Sequence, residues 1–264
     1  MDTLLYHTPN AICAQKVRVC LAEKGAKYAA IDVAGRLRDP AYLKINPNGY
    51  VPTFVHRERV LWESRVISEY INSAFEGAPL LPSDPYQRAQ VALWTKQIDD
   101  SLHLNVFTLS FVAVFRPAFL AMSEDQKERN LAFDLTKRER TLDMISLGWD
   151  SRFVGSALLR FIRLADDMAS ALEGRRWLVG NEYTLADADL TPYLQRLTDL
   201  GLSELWRSRP ALAGWFERVR ARPSFAEVIL NWHSPEDLER SEINRAAAEP
   251  RFRAILDGIQ KRVN

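Results

Sequence analysis

The chain has 264 residues, enough for one large domain or two ordinary ones. Its 47% hydrophobic and 26% charged residues fit a globular protein with a core and exclude a disordered one. A formal net charge of +1 supplies no field to attract nucleic acid or an anionic membrane, so the expected partner is a small molecule or another protein. Two cysteines, Cys13 and Cys20, are too few for a disulfide framework, match no zinc spacing and point to a reducing compartment, with no metal expected.

Met1-Asp2-Thr3-Leu4-Leu5-Tyr6 lacks the basic region and long apolar run of a signal peptide, and a cytoplasmic location is expected. Leu4–Tyr6 reads as a short strand. Gln15–Lys24 reads as a helix with Val17, Cys20 and Leu21 on one face and Gly25 as its stop. Tyr28–Val33 reads as a second strand, and Pro52–His56 with Arg59–Trp62 as a hairpin. Ser64–Phe75 has helical spacing through Val66, Ile67, Tyr70, Ile71 and Ala74. The order β-α-β then β-β-α predicts a small α/β layer over 1–77. Residues 78–85, rich in proline, form the expected linker.

Residues 86–264 read as helix. Tyr86–Phe115 starts amphipathic and then turns apolar on most sides. Its segment Leu104–Phe115 is shorter than the ~20 residues of a membrane span and carries Asn105, Thr108 and Ser110, with His103 just before it; a buried or pocket-lining helix is expected. Ser123 with Gln126 looks like a helix start. Met144–Ala157, with Gly148 and Gly155, reads as an irregular loop. Leu158–Leu172 reads as a helix that Gly174 can end. Thr184 with Asp187 forms a capping-box pattern in which the Thr184 hydroxyl would accept the Asp187 amide and the carboxylate would accept the Thr184 amide. Pro210–Arg222 reads as a further helix. From Pro235 onward the chain is highly charged and shows no obvious core face.

Three local features stand in order: Cys13 at a helix start within Asn10-Ala11-Ile12-Cys13-Ala14-Gln15-Lys16-Val17-Arg18, the turn Asn46-Pro47-Asn48-Gly49-Tyr50-Val51-Pro52, and Glu63-Ser64-Arg65 at the next helix start. With the linker and the capping box, this set resembles the cytosolic glutathione transferase superfamily over roughly residues 3 to 230. The resemblance implies a thioredoxin-like domain followed by a helical bundle domain, glutathione as co-substrate, and a homodimer. It further implies a cis Val51–Pro52 bond, whose Val51 backbone would meet the cysteinyl backbone of glutathione. Ser64 and the amides of its helix start would hold the γ-glutamyl carboxylate, and Glu63 would pair with its amino group. A plain N-cap is the alternative role for Ser64. Arg65 and Lys44 are further candidates for the tripeptide, and a solvated lysine is as good a reading of Lys44.

Members of this superfamily activate the glutathione thiol with a hydroxyl or thiol near the first helix start. Ala11 and Ala14 occupy the usual serine positions, and neither can donate a hydrogen bond. Cys13 remains, with Asn10, Thr8 and Tyr6 as further donors. Cys13 matches the cysteine of reductive dehalogenases and maleylacetoacetate isomerases of this superfamily, and a thiol there should have a depressed pKa. Its alternative is packing as a small apolar side chain, the reading favoured for Cys20.

For an apolar co-substrate the second half offers Trp94, Gln97, His103, Phe107, Phe111 and Phe115, with Asn231-Trp232-His233 folding back over the pocket. Core packing is the alternative for each aromatic. Asp84-Pro85-Tyr86-Gln87-Arg88 and Trp94-Thr95-Lys96 resemble the bacterial β-aryl-ether cleaving branch, whereas Ala221-Arg222-Pro223-Ser224-Phe225 and Asn231-Trp232 resemble the dehalogenases. Attack of glutathione thiolate on an aromatic electrophile, displacing aryloxide or halide, is the function this implies. Two alternatives stand beside it: Cys13-dependent deglutathionylation or thiol–disulfide exchange, and a non-catalytic binding scaffold, which the two alanines favour.

Overall fold

The computed structural model describes residues 2–232 and 235–263. His233, one of the residues expected over the pocket, lies outside the described residues. The first elements are β1 (Thr3–His7), α1 (Ile12–Glu23), β2 (Ala29–Asp32), α2 (Pro40–Ile45), β3 (Thr53–His56), β4 (Arg59–Trp62) and α3 (Ser64–Ala74). They build a mixed four-stranded sheet in the order β2-β1-β3-β4, with β1 and β2 parallel and the other pairs antiparallel, a thioredoxin-like arrangement. The β3–β4 hairpin turns on Arg57 and Glu58, both at positive φ, as a two-residue turn matched to strand twist requires. Helix α1 starts at Ile12, ahead of the expected Gln15. It is buried on nearly every side, polar Gln15, Lys16 and Arg18 included. The short α2, with Pro40 at its first position, has no counterpart among the sequence expectations; six residues are too few to show a period.

Helices follow: α4 (Pro85–Gln97), α5 (His103–Ser110), α6 (Arg116–Leu120), α7 (Glu124–Phe133), α8 (Leu135–Leu147), α9 (Arg152–Ala171), α10 (Leu185–Asp199), α11 (Glu204–Arg207), α12 (Pro210–Arg220), α13 (Pro223–Val228) and α14 (Pro235–Val263). One continuous run, Pro85–Leu120, joins α4, α5 and α6 through π-helical turns at Ile98–Leu102 and Phe111–Phe115. It is long and apolar enough to cross a bilayer, and along it Ile98, Leu102, Val106, Leu109 and Phe111 are buried in protein.

Two expectations need correction. Residues 144–157 are not an irregular loop: Gly148, at φ 57, ends α8, a single 3-10 turn follows, and α9 begins at Arg152. The charged C-terminal stretch has a core face after all, because Ala248 and Phe252, one helical turn apart, are buried, and the Phe252 ring meets Trp149 edge-on at 4.9 Å.

Contacts group the chain into two units interleaved in sequence. One comprises Met1–Lys96, Ala171–Leu194 and Ala213–Glu236; the other comprises Gln97–Ser170, Gln195–Leu212 and Asp237–Asn264. In the first, Asp187 is a buried hub. Its carboxylate accepts the Leu178 and Thr184 amides at 3.0 Å each and the Trp215 indole N–H at 2.8 Å. Half of the expected capping box is therefore present. The Thr184 hydroxyl accepts the Ala186 amide, while the Asp187 amide goes to the Thr184 carbonyl.

Candidate functional site

Strand register brings the three sequence motifs to one end of the sheet. Tyr6 pairs with Thr53, so the chain leaving β1 toward Cys13 starts beside the residues entering β3, Val51 and Pro52. Thr53 also pairs with Trp62, so Glu63 and Ser64 follow β4 at the same end. The Val51–Pro52 bond is cis.

The approach to Val51 is held by a hydrogen-bonded loop. Buried Asn46 donates through Nδ2 to the Tyr50 carbonyl at 3.0 Å and to Thr53 Oγ1 at 2.8 Å, and its Oδ1 accepts the Asn48 amide. The Tyr42 hydroxyl donates to the Tyr50 carbonyl at 2.6 Å. Gly49 has φ +61, and an added Cβ would lie 2.7 Å from the Arg38 guanidinium and 3.0 Å from the Leu37 carbonyl, so only glycine fits. Arg38 Nη1 donates to the Gly49 carbonyl at 2.5 Å, and its guanidinium lies 5.7 Å from the Tyr50 ring centroid. Sequence reading passed over this arginine. Lys44 is exposed in the last turn of α2. Arg65 pairs with Glu69 of its own helix at 3.2 Å.

At the start of α3 the N-cap residue is Glu63, whose side chain makes no capping bond. Its φ of 69 and ψ of 109 lie where glutamate rarely sits, the kind of local strain that clusters at ligand sites. Ser64 is the first helical residue rather than the cap, which removes the N-cap alternative. Its Oγ accepts a 3.1 Å bond from Lys16 Nζ. Lys16 is fully buried and also lies 3.3 Å from Asp189, equally buried. A buried ammonium thus stands behind a helix start whose first amides no side chain caps, an arrangement suited to a carboxylate. The signal for Lys16 in sequence is only a lysine inside an otherwise apolar helix stripe.

Cys13 is the second residue of α1 and half-exposed; Ala11, the N-cap, supplies no side-chain bond to the first-turn amides. Asn10 is exposed in the preceding turn. Cys20 is fully buried, and desolvation together with the Asp189 charge pushes its thiol far above the range in which thiolate forms. The preceding turn is tied down by Arg18. This buried guanidinium donates to the Pro9 carbonyl at 2.8 Å, the Val228 carbonyl at 3.1 Å and His7 Nδ1 at 2.9 Å. Because arginine only donates, His7 carries its proton on Nε2. Burial and the neighbouring Arg18 charge hold His7 down to about 4. Trp232 meets the His7 ring edge-on at 4.7 Å and lies 4.7 Å from the Arg18 guanidinium, so it packs beside β1 and α1.

The remaining co-substrate candidates have separate surroundings. Trp94 is half-exposed on α4. Gln97 Oε1 accepts from Arg160 at 2.7 Å, and Arg160 also donates to Ser101 Oγ at 2.9 Å across the first π-helical turn. His103 and Phe107 are half-exposed. Phe111 is buried between Phe107 and Phe119, at 5.8 and 5.7 Å, so core packing accounts for it. Phe115 is exposed.

Two family models match the chain: glutathione S-transferase, N-terminal domain, over residues 1–73, and glutathione S-transferase, C-terminal domain, over 163–223. The chain is 31% identical over 240 residues to glutathione S-transferase TCHQD of Arabidopsis thaliana, covering 85% of this chain and 88% of that one. It is 25% identical to tetrachloro-P-hydroquinone reductive dehalogenase of Sphingobium chlorophenolicum, covering 88% and 98%. The crystal structure of beta-etherase LigF from Sphingobium sp. strain SYK-6 superposes with a TM-score of 0.78 at 25% identity, over 88% of this chain and all of that one.

Proposed function

The chain belongs to the glutathione S-transferase family, and on that premise we propose that it transfers glutathione to an apolar aromatic electrophile, with aryloxide or halide as leaving group. The reading is carried by the uncapped start of α3, where Ser64 is held from behind by buried Lys16. Ser64 accepts from Lys16, so its own O–H is left to donate to the γ-glutamyl carboxylate. Glu63 takes the γ-glutamyl amino group, the Val51 backbone takes the cysteinyl backbone, and Arg38 supplies a cation for the glycyl carboxylate, with Lys44 and Arg65 in reserve. Domain roles follow: 1–77 binds glutathione, 78–85 links, and 86–264 carries the co-substrate site.

In the reaction a carbon–sulfur bond forms as the carbon–oxygen or carbon–halogen bond breaks, and the leaving group departs with the bonding electrons. The thiol proton has already gone to solvent. First-turn amides of α1, the Cys13 thiol and Asn10 stabilise the thiolate. The half-exposed position of Cys13 favours a second reading, in which its thiolate attacks the sulfur of a glutathionyl mixed disulfide and releases reduced product, a second glutathione then regenerating the thiol. The names of the beta-etherase and reductive dehalogenase relatives support aryloxide and halide as the leaving groups of the first reading.

A homodimer is supported by apolar side chains exposed on the edge strand β4 and on α3, Val60, Trp62 and Val66. Two cysteines in no disulfide suit a cytoplasmic location. The test is calorimetric titration of glutathione into wild type, Ser64→Ala and Cys13→Ser, with thiolate absorbance read on each. Binding lost in Ser64→Ala is the expected result. No binding by wild type at millimolar glutathione would leave a transferase-shaped scaffold.

A further inference from the structure

Along α8 and the start of α9, the cations are matched by acids. Lys137 pairs with Asp134 at 2.7 Å, Arg138 with Glu128 at 3.1 Å and Arg152 with Glu139 at 2.6 Å. Arg140 is the exception: among the described residues it forms no ion pair. Asp143, one turn further along α8, accepts instead from the Ser151 hydroxyl. Burial lowers the Arg140 pKa, and no carboxylate raises it. All of these residues belong to the unit that contains Gln97–Ser170.

Neutral groups hold this uncompensated guanidinium in one orientation. Nη1 donates to Thr108 Oγ1 at 2.9 Å and reaches Asn105 Oδ1 at 3.5 Å, both on α5, and Cζ lies 4.4 Å from the ring centroid of Phe153 on α9. Nη1 is thereby engaged. Nε and Nη2, the edge whose geometry matches a carboxylate, take no protein acceptor among the described residues. A half-buried cation without a counter-charge costs free energy that a bound anion would recover. Phe107 borders the same α5–α8 seam. It is half-exposed, directly precedes Thr108, and has Lys137 Nζ, one turn before Arg140, 5.7 Å from its ring centroid. A second guanidinium stands along α5: Arg160 donates to Ser101 and Gln97 across the first π-helical turn, and its Nη1 is buried without a partner. Asn105 Nδ2 donates to the Ser101 carbonyl at 3.0 Å, so the anchors of both guanidinia form one hydrogen-bonded stripe.

We propose that Arg140 takes the acid group of the co-substrate, which is therefore an aromatic electrophile bearing a carboxylate, its ring against Phe107. The inference rests on the reading of 86–264 as the co-substrate domain. The test uses 4-chloro-3-nitrobenzoate and its neutral counterpart 4-chloro-3-nitrobenzamide. With either one, the glutathione sulfur bonds to the ring carbon that carries chlorine, and chloride leaves with the bonding pair. Each probe is first titrated by calorimetry, without glutathione, into full-length wild type, Arg140→Gln, Arg140→Lys and Arg138→Gln, each with its thermal midpoint checked. The acid should bind saturably, at least about tenfold more weakly in Arg140→Gln, and with an intermediate loss in Arg140→Lys, which keeps the charge but not the fork. Arg138→Gln, which removes an already paired cation, should stay within about twofold. The amide should bind more weakly than the acid and ignore Arg140→Gln. Conjugate formation is then followed by chromatography; Arg140→Gln should raise KM for the acid about tenfold and leave kcat within about threefold. Four results overturn the proposal: no saturable binding of the acid at millimolar probe, an affinity within about twofold in Arg140→Gln, equal binding of the amide, or an equal loss in Arg138→Gln. Acid binding that depends on Arg140 without any conjugate would support the anion site and refute the transfer reading, whereas conjugation of both probes indifferent to Arg140 would refute the anion site and keep that reading.

Discussion

Replacing Lys16 by methionine tests the electrostatic core of the candidate site. Nζ and the Asp189 carboxylate are 3.3 Å apart, and neither side chain is exposed. At an effective dielectric of about 20, that separation corresponds to an attraction of about 5 kcal/mol, which offsets the cost of taking both charges out of water. Lys16→Met keeps the bulk of the side chain and leaves Asp189 charged and buried, a loss of about 3–5 kcal/mol of folding stability. Asp189→Asn leaves the ammonium stranded and should cost a similar amount. The double variant leaves no orphan charge, so its cost should fall short of the sum of the single costs by at least about 2 kcal/mol. Urea denaturation followed by tryptophan fluorescence reads all four corners of the cycle. If a single variant is too unstable to purify, the double variant, which should fold, still decides the sign. Single costs below about 1 kcal/mol, or costs that add, would refute the buried pair. Glutathione titration of the double variant supplies a second readout: Ser64 has lost its Lys16 donor, and affinity should fall even though the fold is restored.

His7 should make the protein acid-sensitive. Its pKa falls from 6.5 to about 4 on folding, so its contribution is complete above pH 6.5 and is lost as pH drops through 4. The loss amounts to about 3 kcal/mol, and a His7→Gln variant should show a flatter pH profile in urea denaturation between pH 7 and 4. Phe252→Ala should cost about 3–5 kcal/mol by thermal or urea unfolding, because the ring is buried against Trp149. Cys13→Ser should leave thioether-forming transfer within about threefold and abolish deglutathionylation, as measured by product chromatography, since serine donates a hydrogen bond but forms no mixed disulfide. Trp62→Glu with Val66→Glu should shift the sedimentation coefficient to that of a monomer.

The legible parts of the molecule were those whose signals are local. The β3–β4 hairpin, the proline turn before β3 and the start of α3 were each readable from a handful of adjacent residues, and strand pairing then brings them to one end of the sheet. Elements whose sense depends on distant partners were not readable. Lys16 shows only as a lysine within an apolar stripe and Arg18 as an ordinary polar position of a helix, yet both are fully buried. Their partners are Ser64 and Asp189 for the first and Pro9, His7 and Val228 for the second, in part far along the chain. Helix α14 misled for the same reason: its dense charges hide core positions such as Ala248 and Phe252.

The pattern of what was missed bears on function. Arg38, Lys16 and Arg18 are all cations next to segments the sequence did mark: the 46–50 loop, the start of α3 and the turn before α1. The carbonyls and hydroxyl they bind hold those segments in place; Lys16 is balanced by Asp189, while Arg38 and Arg18 put positive charge beside a stretch where the α1 and α3 starts already present uncapped amides. Net charge over the whole chain is +1, so this local excess is invisible to composition. A peptide with two carboxylates and a nucleophile that must ionise gains from such a field twice, once in binding through its carboxylates and once in losing the thiol proton. The same field reduces what any single activating side chain must contribute. Ala11 and Ala14 in the usual donor positions are therefore compatible with an active enzyme.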